Sequence, residues 1–210
     1  MGFVRRAGQR RPGRLTGRHR TVSCSRVQAT GAVALAIRQI ATEIPPFETL
    51  GLPPSVRDFA MAPFGLVLIT GPAGSGKSTT LAALIDHINH HRQGHVICLE
   101  DPIEYVHRHR RCTIEQIEIG EDAPSFAEAL RNVFRQTPDV IMVGEMRDRE
   151  TIALALTLAE TGHLILATLH TQDTANAINR VVDTFPADQQ EQILMQLSMT
   201  LVGICSQQLL

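Results

Sequence analysis

Gly71-Pro72-Ala73-Gly74-Ser75-Gly76-Lys77-Ser78-Thr79 satisfies every fixed position of the pattern G-x-x-x-x-G-K-[ST]. Glycines at that spacing let successive backbone N–H groups turn inward as an anion nest. A helix opening directly behind them adds free amides and the positive end of its dipole. The chemistry this suits is nucleotide triphosphate binding: Lys77 would reach the β- and γ-phosphates and the Ser78 hydroxyl would ligate Mg²⁺. A Gly/Ser-rich turn can also be a plain helix cap, but both flanks match the nucleotide reading. Gly65 to Thr70 is an apolar run of buried-strand type, and Thr79 to Ile88 carries apolar residues at helical spacing. Lys77 is the only lysine in the chain.

Hydrolysis of a bound triphosphate needs more than a phosphate cradle. A carboxylate must hold the metal's waters and another group must orient the attacking water. Three further polar clusters sit at or near the ends of expected strands: Glu100/Asp101/Glu104, Glu145, and His163/His170. Each has a plainer reading: Glu100 and Asp101 can simply terminate a strand, and the two histidines can be core histidines with satisfied nitrogens. Gly144 precedes Glu145 where an Asp is common, and the only nearby Asp, Asp139, opens the strand.

The elements that must position these groups read as an α/β alternation. Strands are expected at Gly65–Thr70, His95–Leu99, Asp139–Gly144 and Leu164–Thr168. Helices are expected after the phosphate loop, from Ser125 toward Pro138 with Ser125 as N-cap, from Arg149 to Thr161, and from about Asp188 to Ile204. Val56 to Met61 reads as a short helix before the first core strand. Such alternation predicts a mostly parallel sheet with helices on both faces. Gly31 to Ile40 reads as a strand leading through Pro45-Pro46 and Pro53-Pro54 into the core.

A net charge of −1 conceals two kinds of sequence. Residues 1–42 hold nine arginines and no acid, while residues 43–210 hold eleven basic and twenty-one acidic side chains. The expected organisation is a disordered Arg-rich tail over 1–28, a strand and linker over 29–62, and the nucleotide domain over 63–210. No apolar run approaches the ~18 residues that span a bilayer and no secretory signal is apparent, so a cytoplasmic location is expected. Cys24, Cys98, Cys112 and Cys205 are scattered, indicating reduced thiols with Cys98 in a core strand. His87, His90 and His91 have a spacing that can bind metal, but no local partner accompanies them, which favours a solvated helix face.

Together the boxes GPAGSGKSTT (71–80), LEDPIEYVH (99–107), PDVIMVGEMRDRET (138–151), AETGHLILATLHT (159–171) and RVVDTFP (180–186) resemble the secretion and traffic ATPases of the RecA-like class. The wording is most similar to the type IV pilus retraction ATPases (PilT family), over roughly Gly31 to Leu210. The resemblance implies a RecA-like P-loop core, ATP and Mg²⁺ as cofactors, and a cytoplasmic protein peripheral to the inner membrane. It implies a hexamer acting on a pilus inner-membrane platform protein, with no transmembrane segment and no direct nucleic-acid contact. By resemblance Glu104 polarises water, Glu145 occupies the Walker B position beside the Ser78-bound metal, and His163 and His170 link the γ-phosphate to neighbouring subunits. Arg38 is the remaining candidate for an arginine that completes a neighbour's site.

The resemblance further implies that part of an N-terminal domain and a C-terminal helical portion lie outside these residues. Poor turnover by this form alone is then expected, since an arginine from a neighbour can be worth ~10³–10⁵ in rate. Three rival readings follow: a nucleotide-binding module without turnover, a pilus-extension or type II secretion ATPase, and a nucleic-acid motor. The last is disfavoured by the acidic balance of residues 43–210.

Overall fold

A computed structural model describes residues 43–209 throughout, together with the strand backbones at 15–17, 20–29 and 32–40. Of the tail expected to be disordered, residues 1–14, 18 and 19 lie outside the described residues. Leu15–Gly17 (β1) and Arg20–Ala29 (β2) instead form strands, and Ala32–Ile40 (β3) is the strand expected at that point. The three pair antiparallel in the order β1-β2-β3, with β2 and β3 in register from Thr21↔Ile40 to Ala29↔Ala32. Thr21, Val22 and Val27 supply β-branched residues that suit extended backbone, a preference the arginine content masks.

The larger sheet has six strands. Gly65–Thr70 (β4) leads into the helix Lys77–His91 (α2), preceded by the short helix Pro54–Phe59 (α1). Gly94–Glu100 (β5) and Cys112–Glu118 (β6) follow, then Phe126–Val133 (α3), Val140–Val143 (β7), Arg149–Glu160 (α4) and Leu164–Leu169 (β8). Thr174–Val182 (α5), Ala187–Thr200 (α6) and Leu201–Ser206 (β9) complete the chain. The strand order is β6-β5-β7-β8-β4-β9, and every pairing is parallel.

Alternate residues of the central strands enter two separate cores. Leu66, Leu68, Ile97, Leu99, Ile141, Val143, Ile165 and Ala167 pack with apolar residues of α3, α4, α5 and α6. Val67, Ile69, Val96, Cys98, Val140, Met142, Leu164 and Leu166 pack with Leu81, Leu84, Ile85 and Ile88 of α2. Helices therefore cover both faces, which is why β4, β7 and β8 are buried along their whole length.

Two departures from the sequence reading have physical reasons. β6 and α5 were not expected; β6 is an edge strand whose Thr113 and Glu115 are exposed while Cys112 and Ile114 are buried. The last helix was expected to run to Ile204 but stops at Thr200, and Leu201–Ser206 turns into a strand beside β4. Gly203 permits that turn: a side chain there would fall inside the ring of Phe59. Gly203→Val should therefore lower unfolding free energy by about 1–3 kcal/mol, as overpacking does. A denaturation midpoint equal to the parent's would show that α1 does not pack against β9 in this way.

Candidate functional site

Parallel pairing brings the carboxyl ends of β5, β7, β8 and β4 side by side along one edge of the sheet. Each of those ends delivers one of the expected groups. The phosphate loop follows β4, Glu100 to Glu104 follows β5, Glu145 follows β7 and His170 follows β8. A cavity of about 320 Å³ opens over that edge, lined by Ala73, Gly74, Lys77, Ser78, Glu100, Asp101, Glu104, Glu145 and His170 among others.

Local chain geometry shapes the loop. Gly76 caps α2 with φ 91°, a left-handed conformation that glycine adopts without strain. At Gly71 a Cβ would collide with the Gln207 carbonyl and the Ser75 hydroxyl, so the bare backbone is what lets β9's extension close against the loop. That extension is tied down by three bonds: Gln207 N donates to Thr70 O at 2.8 Å, Gln207 Nε2 to Thr80 Oγ1 at 2.8 Å, and Thr70 Oγ1 lies 2.7 Å from Ser206 Oγ. Pro72 offers its carbonyl to Lys77, while Ala73, Gly74 and Ser78 face solvent on the open side. Ser75 Oγ is buried without a hydrogen-bond partner, and Thr79 Oγ1 lies 3.0 Å from the Tyr105 hydroxyl.

Lys77 is buried, and its Nζ donates to the Gly71 and Pro72 carbonyls, 2.8 Å in each case. Burial lowers its pKa, against the opposing pull of the Glu145 and Glu104 carboxylates. His170 bridges the centre: its Nδ1 lies 3.5 Å from Lys77 Nζ and its Nε2 3.3 Å from Glu145 Oε2. Arg147, unnoticed in the sequence, pairs through Nε with Glu145 Oε1, and that contact raises its own pKa. Its signal was its place two residues beyond a strand-end carboxylate.

The unusual Gly144 before Glu145 has a packing reason. Its N–H donates to Leu99 O at 2.8 Å, and a Cβ would press to 3.0 Å from that oxygen and 3.4 Å from Glu100 Cα. The absent side chain lets the ends of β7 and β5 close up, so that Glu145 and Glu100 share one cleft. Asp139, at the other end of β7, accepts from His95 N at 2.7 Å and belongs to the sheet's amino edge.

His163 is not part of this site. It precedes β8, so an extended strand separates it from His170, about 23 Å at roughly 3.3 Å per residue. Its Nδ1 lies 3.0 Å from Leu158 O and 3.3 Å from Thr161 Oγ1, which accounts for it structurally. Arg38 lies on β3, whose side chains are outside the described residues. The histidines of α2 stack on one another, His87 on His91 at 4.0 Å between centroids, and no cluster suited to a metal occurs among the described residues. Cys98 is fully buried in β5, and burial pushes its thiol well above the usual range. No helix among the described residues is long and apolar enough to cross a membrane.

The donor set fits a magnesium nucleotide. Hard oxygens from one hydroxyl, Ser78, and one carboxylate, Glu145, suit an ion that keeps several waters and takes its other ligands from phosphate. The open loop amides and the Lys77 ammonium suit the phosphates themselves.

His107 also lines the cavity, and its buried Nδ1 has no hydrogen-bond partner. Burial lowers its pKa to about 4, with Asp86 pulling weakly the other way. The folded protein thus binds the proton less readily than the unfolded chain, where histidine titrates near 6.5. The stability that neutral His107 permits is complete above about pH 6.5 and is lost as pH falls toward 4. At ~1.4 kcal/mol per pKa unit the loss approaches about 3 kcal/mol. His107→Gln should flatten urea-unfolding free energy between pH 6.5 and 4.5; an unchanged slope would assign the acid sensitivity elsewhere.

Residues 25–210 match the family model described as Type II/IV secretion system protein. The chain is 48% identical over 183 residues to the type IV pilus retractation ATPase PilT of Pseudomonas aeruginosa, covering 87% of this chain and 53% of that protein. It is 49% identical over 177 residues to the type IV pilus ATPase PilU of the same organism, covering 84% and 46%. Among solved structures, the pilus retraction motor PilT with bound ADP superposes with a TM-score of 0.91 at 49% identity, covering 94% of this chain and 58% of that one. The chain thus spans about half the length of the curated relatives it matches. Its α/β fold with the all-parallel sheet is that of the PilT motor, and the chain belongs to the type II/IV secretion system protein family.

Proposed function

We propose that these residues form the ATP-binding and ATP-hydrolysing part of a type IV pilus motor subunit, acting in pilus retraction. The observation that carries this reading is the meeting of Lys77, His170 and Glu145 at one sheet edge, directly behind an intact phosphate loop. The loop amides and Lys77 take the triphosphate. Ser78 and Glu145 hold Mg²⁺, which when bound neutralises charge on the phosphate oxygens. Glu104, across the same cavity, orients and deprotonates the attacking water. His170 holds Glu145 in place and lies next to Lys77, so a change at the phosphates is felt at the carboxylate.

The retraction role draws support from PilT, PilU and the twitching motility protein of Neisseria gonorrhoeae, the last 49% identical over 177 residues. In the same reading the subunit works in the cytoplasm as a hexamer and pulls through a platform protein of the inner membrane. In that hexamer Arg38 is the candidate for the arginine that completes a neighbouring subunit's site.

Lys77→Ala should weaken ATP binding ~10–100-fold, the worth of about 1.5–3 kcal/mol for a charged hydrogen bond. Calorimetric titration at constant fold, checked by circular dichroism, measures it. Unchanged affinity would place the nucleotide elsewhere. Glu104→Gln should bind ATP as the parent does while hydrolysing it at least ~10²-fold more slowly. Parental phosphate release by that variant would move the base to another carboxylate of the cleft.

A further inference from the structure

Glu104 lies on the segment between β5 and β6, residues 101–111, which belongs to neither strand. A carboxylate that must act on one water needs that segment held to a fraction of an ångström, so the groups that pin it are part of the reaction's geometry. Glu118 Oε2 accepts from Ile103 N at 3.3 Å and His109 Nδ1 from Ile114 N at 3.0 Å, and two amide side chains hold the rest. Asn89 of α2, 1% exposed, takes the far half: its Nδ2 donates to Arg108 O at 2.7 Å and its Oδ1 accepts from Arg110 N and Cys112 N, each at 3.1 Å.

Gln116 of β6 takes the near half, the part that carries Glu104. Its Nε2 donates both to Tyr105 O and to Glu100 Oε1, 2.8 Å each, and its Oε1 accepts from His107 N at 2.9 Å. Both donor hydrogens and one acceptor position are thus engaged, and the backbone immediately C-terminal to Glu104 is fixed to the sheet at Tyr105 and His107. Gln116 sits in none of the motif boxes, and no charge or nucleophile draws attention to it. Beyond Gln116, the Tyr105 hydroxyl lies 3.0 Å from Thr79 Oγ1, so the pinned segment also touches the helix that follows the phosphate loop.

We propose that Gln116 is a positioning residue that aims Glu104 into the nucleotide cleft. It acts through the backbone of Tyr105 and His107, and it holds Glu100, another carboxylate of the cleft, as a hydrogen-bond acceptor. This rests on the hydrolytic reading given above. Gln116→Met keeps the side chain's length and removes all three bonds. A carboxylate displaced by about 1 Å loses ~10²-fold in rate, so kcat should fall ten- to a hundredfold while KM and ATP affinity stay within about twofold.

The decisive comparison is a cycle with Glu104→Gln. If Gln116 acts by aiming Glu104, Gln116→Met has no further effect on kcat in the Glu104→Gln background. If the losses multiply, or if ATP affinity falls with kcat, the residue is structural and the proposal is overturned. If Glu104→Gln itself keeps parental turnover, the hydrolytic reading of Glu104 fails first, a separate outcome.

A second measurement needs no turnover. Tyr105 is the only tyrosine and the chain has no tryptophan, so intrinsic ultraviolet emission reports this segment alone. Steady-state tyrosine anisotropy of Gln116→Met, and of Gln116→Glu should the methionine variant fold poorly, is expected below the parent's. Anisotropy equal to the parent's in the folded variant would overturn the proposal whatever the activity.

Discussion

Parallel strand pairing is the constraint on which everything else in this molecule depends. Because β5, β7, β8 and β4 all run one way, whatever follows each strand appears at the same edge, and chain direction alone brings groups from four distant stretches of sequence within reach of one another. The arrangement requires both faces of the sheet to be covered, since no central strand has a solvent side. That requirement explains the composition of β4, β7 and β8, which are apolar along their length, and it explains why polar chemistry is confined to their ends.

At that edge the electrostatics are mutually dependent. A buried ammonium is costly alone; burial lowers the Lys77 pKa, and the Glu145 and Glu104 carboxylates oppose that shift while two carbonyls of its own loop accept its hydrogens. Glu145 in turn has both oxygens engaged, one by His170 and one by Arg147. These groups share partners, so the cluster behaves as a unit and its members cannot be assigned independent energies.

Much of this was legible in the sequence because the central strands are strongly apolar and the phosphate loop is a continuous pattern. The strands at Gly65–Thr70, Val140–Val143 and Leu164–Leu169 stand out as short apolar runs between polar ends. β6 was not legible, because an edge strand alternates and its Glu115 and Gln116 look like loop residues. β9 was absorbed into the helix before it, since Leu201 to Ile204 continue an apolar period and only the Phe59 ring reveals why Gly203 must be there. His163 stands at the opposite end of β8 from the cavity because it precedes its strand, whereas Glu145 and His170 follow theirs. Gln116 left no trace, for an amide's role lies in which backbone atoms it meets, and those come from a different part of the chain.

The two loop carbonyls that hold Lys77 bear on what happens after a reaction as much as before it. With no phosphate at the loop, the ammonium has a ready pair of acceptors 2.8 Å away. Product egress is therefore not resisted by a stranded buried cation. The cradle can thus exchange one set of oxygens for another without leaving the ammonium unpaired.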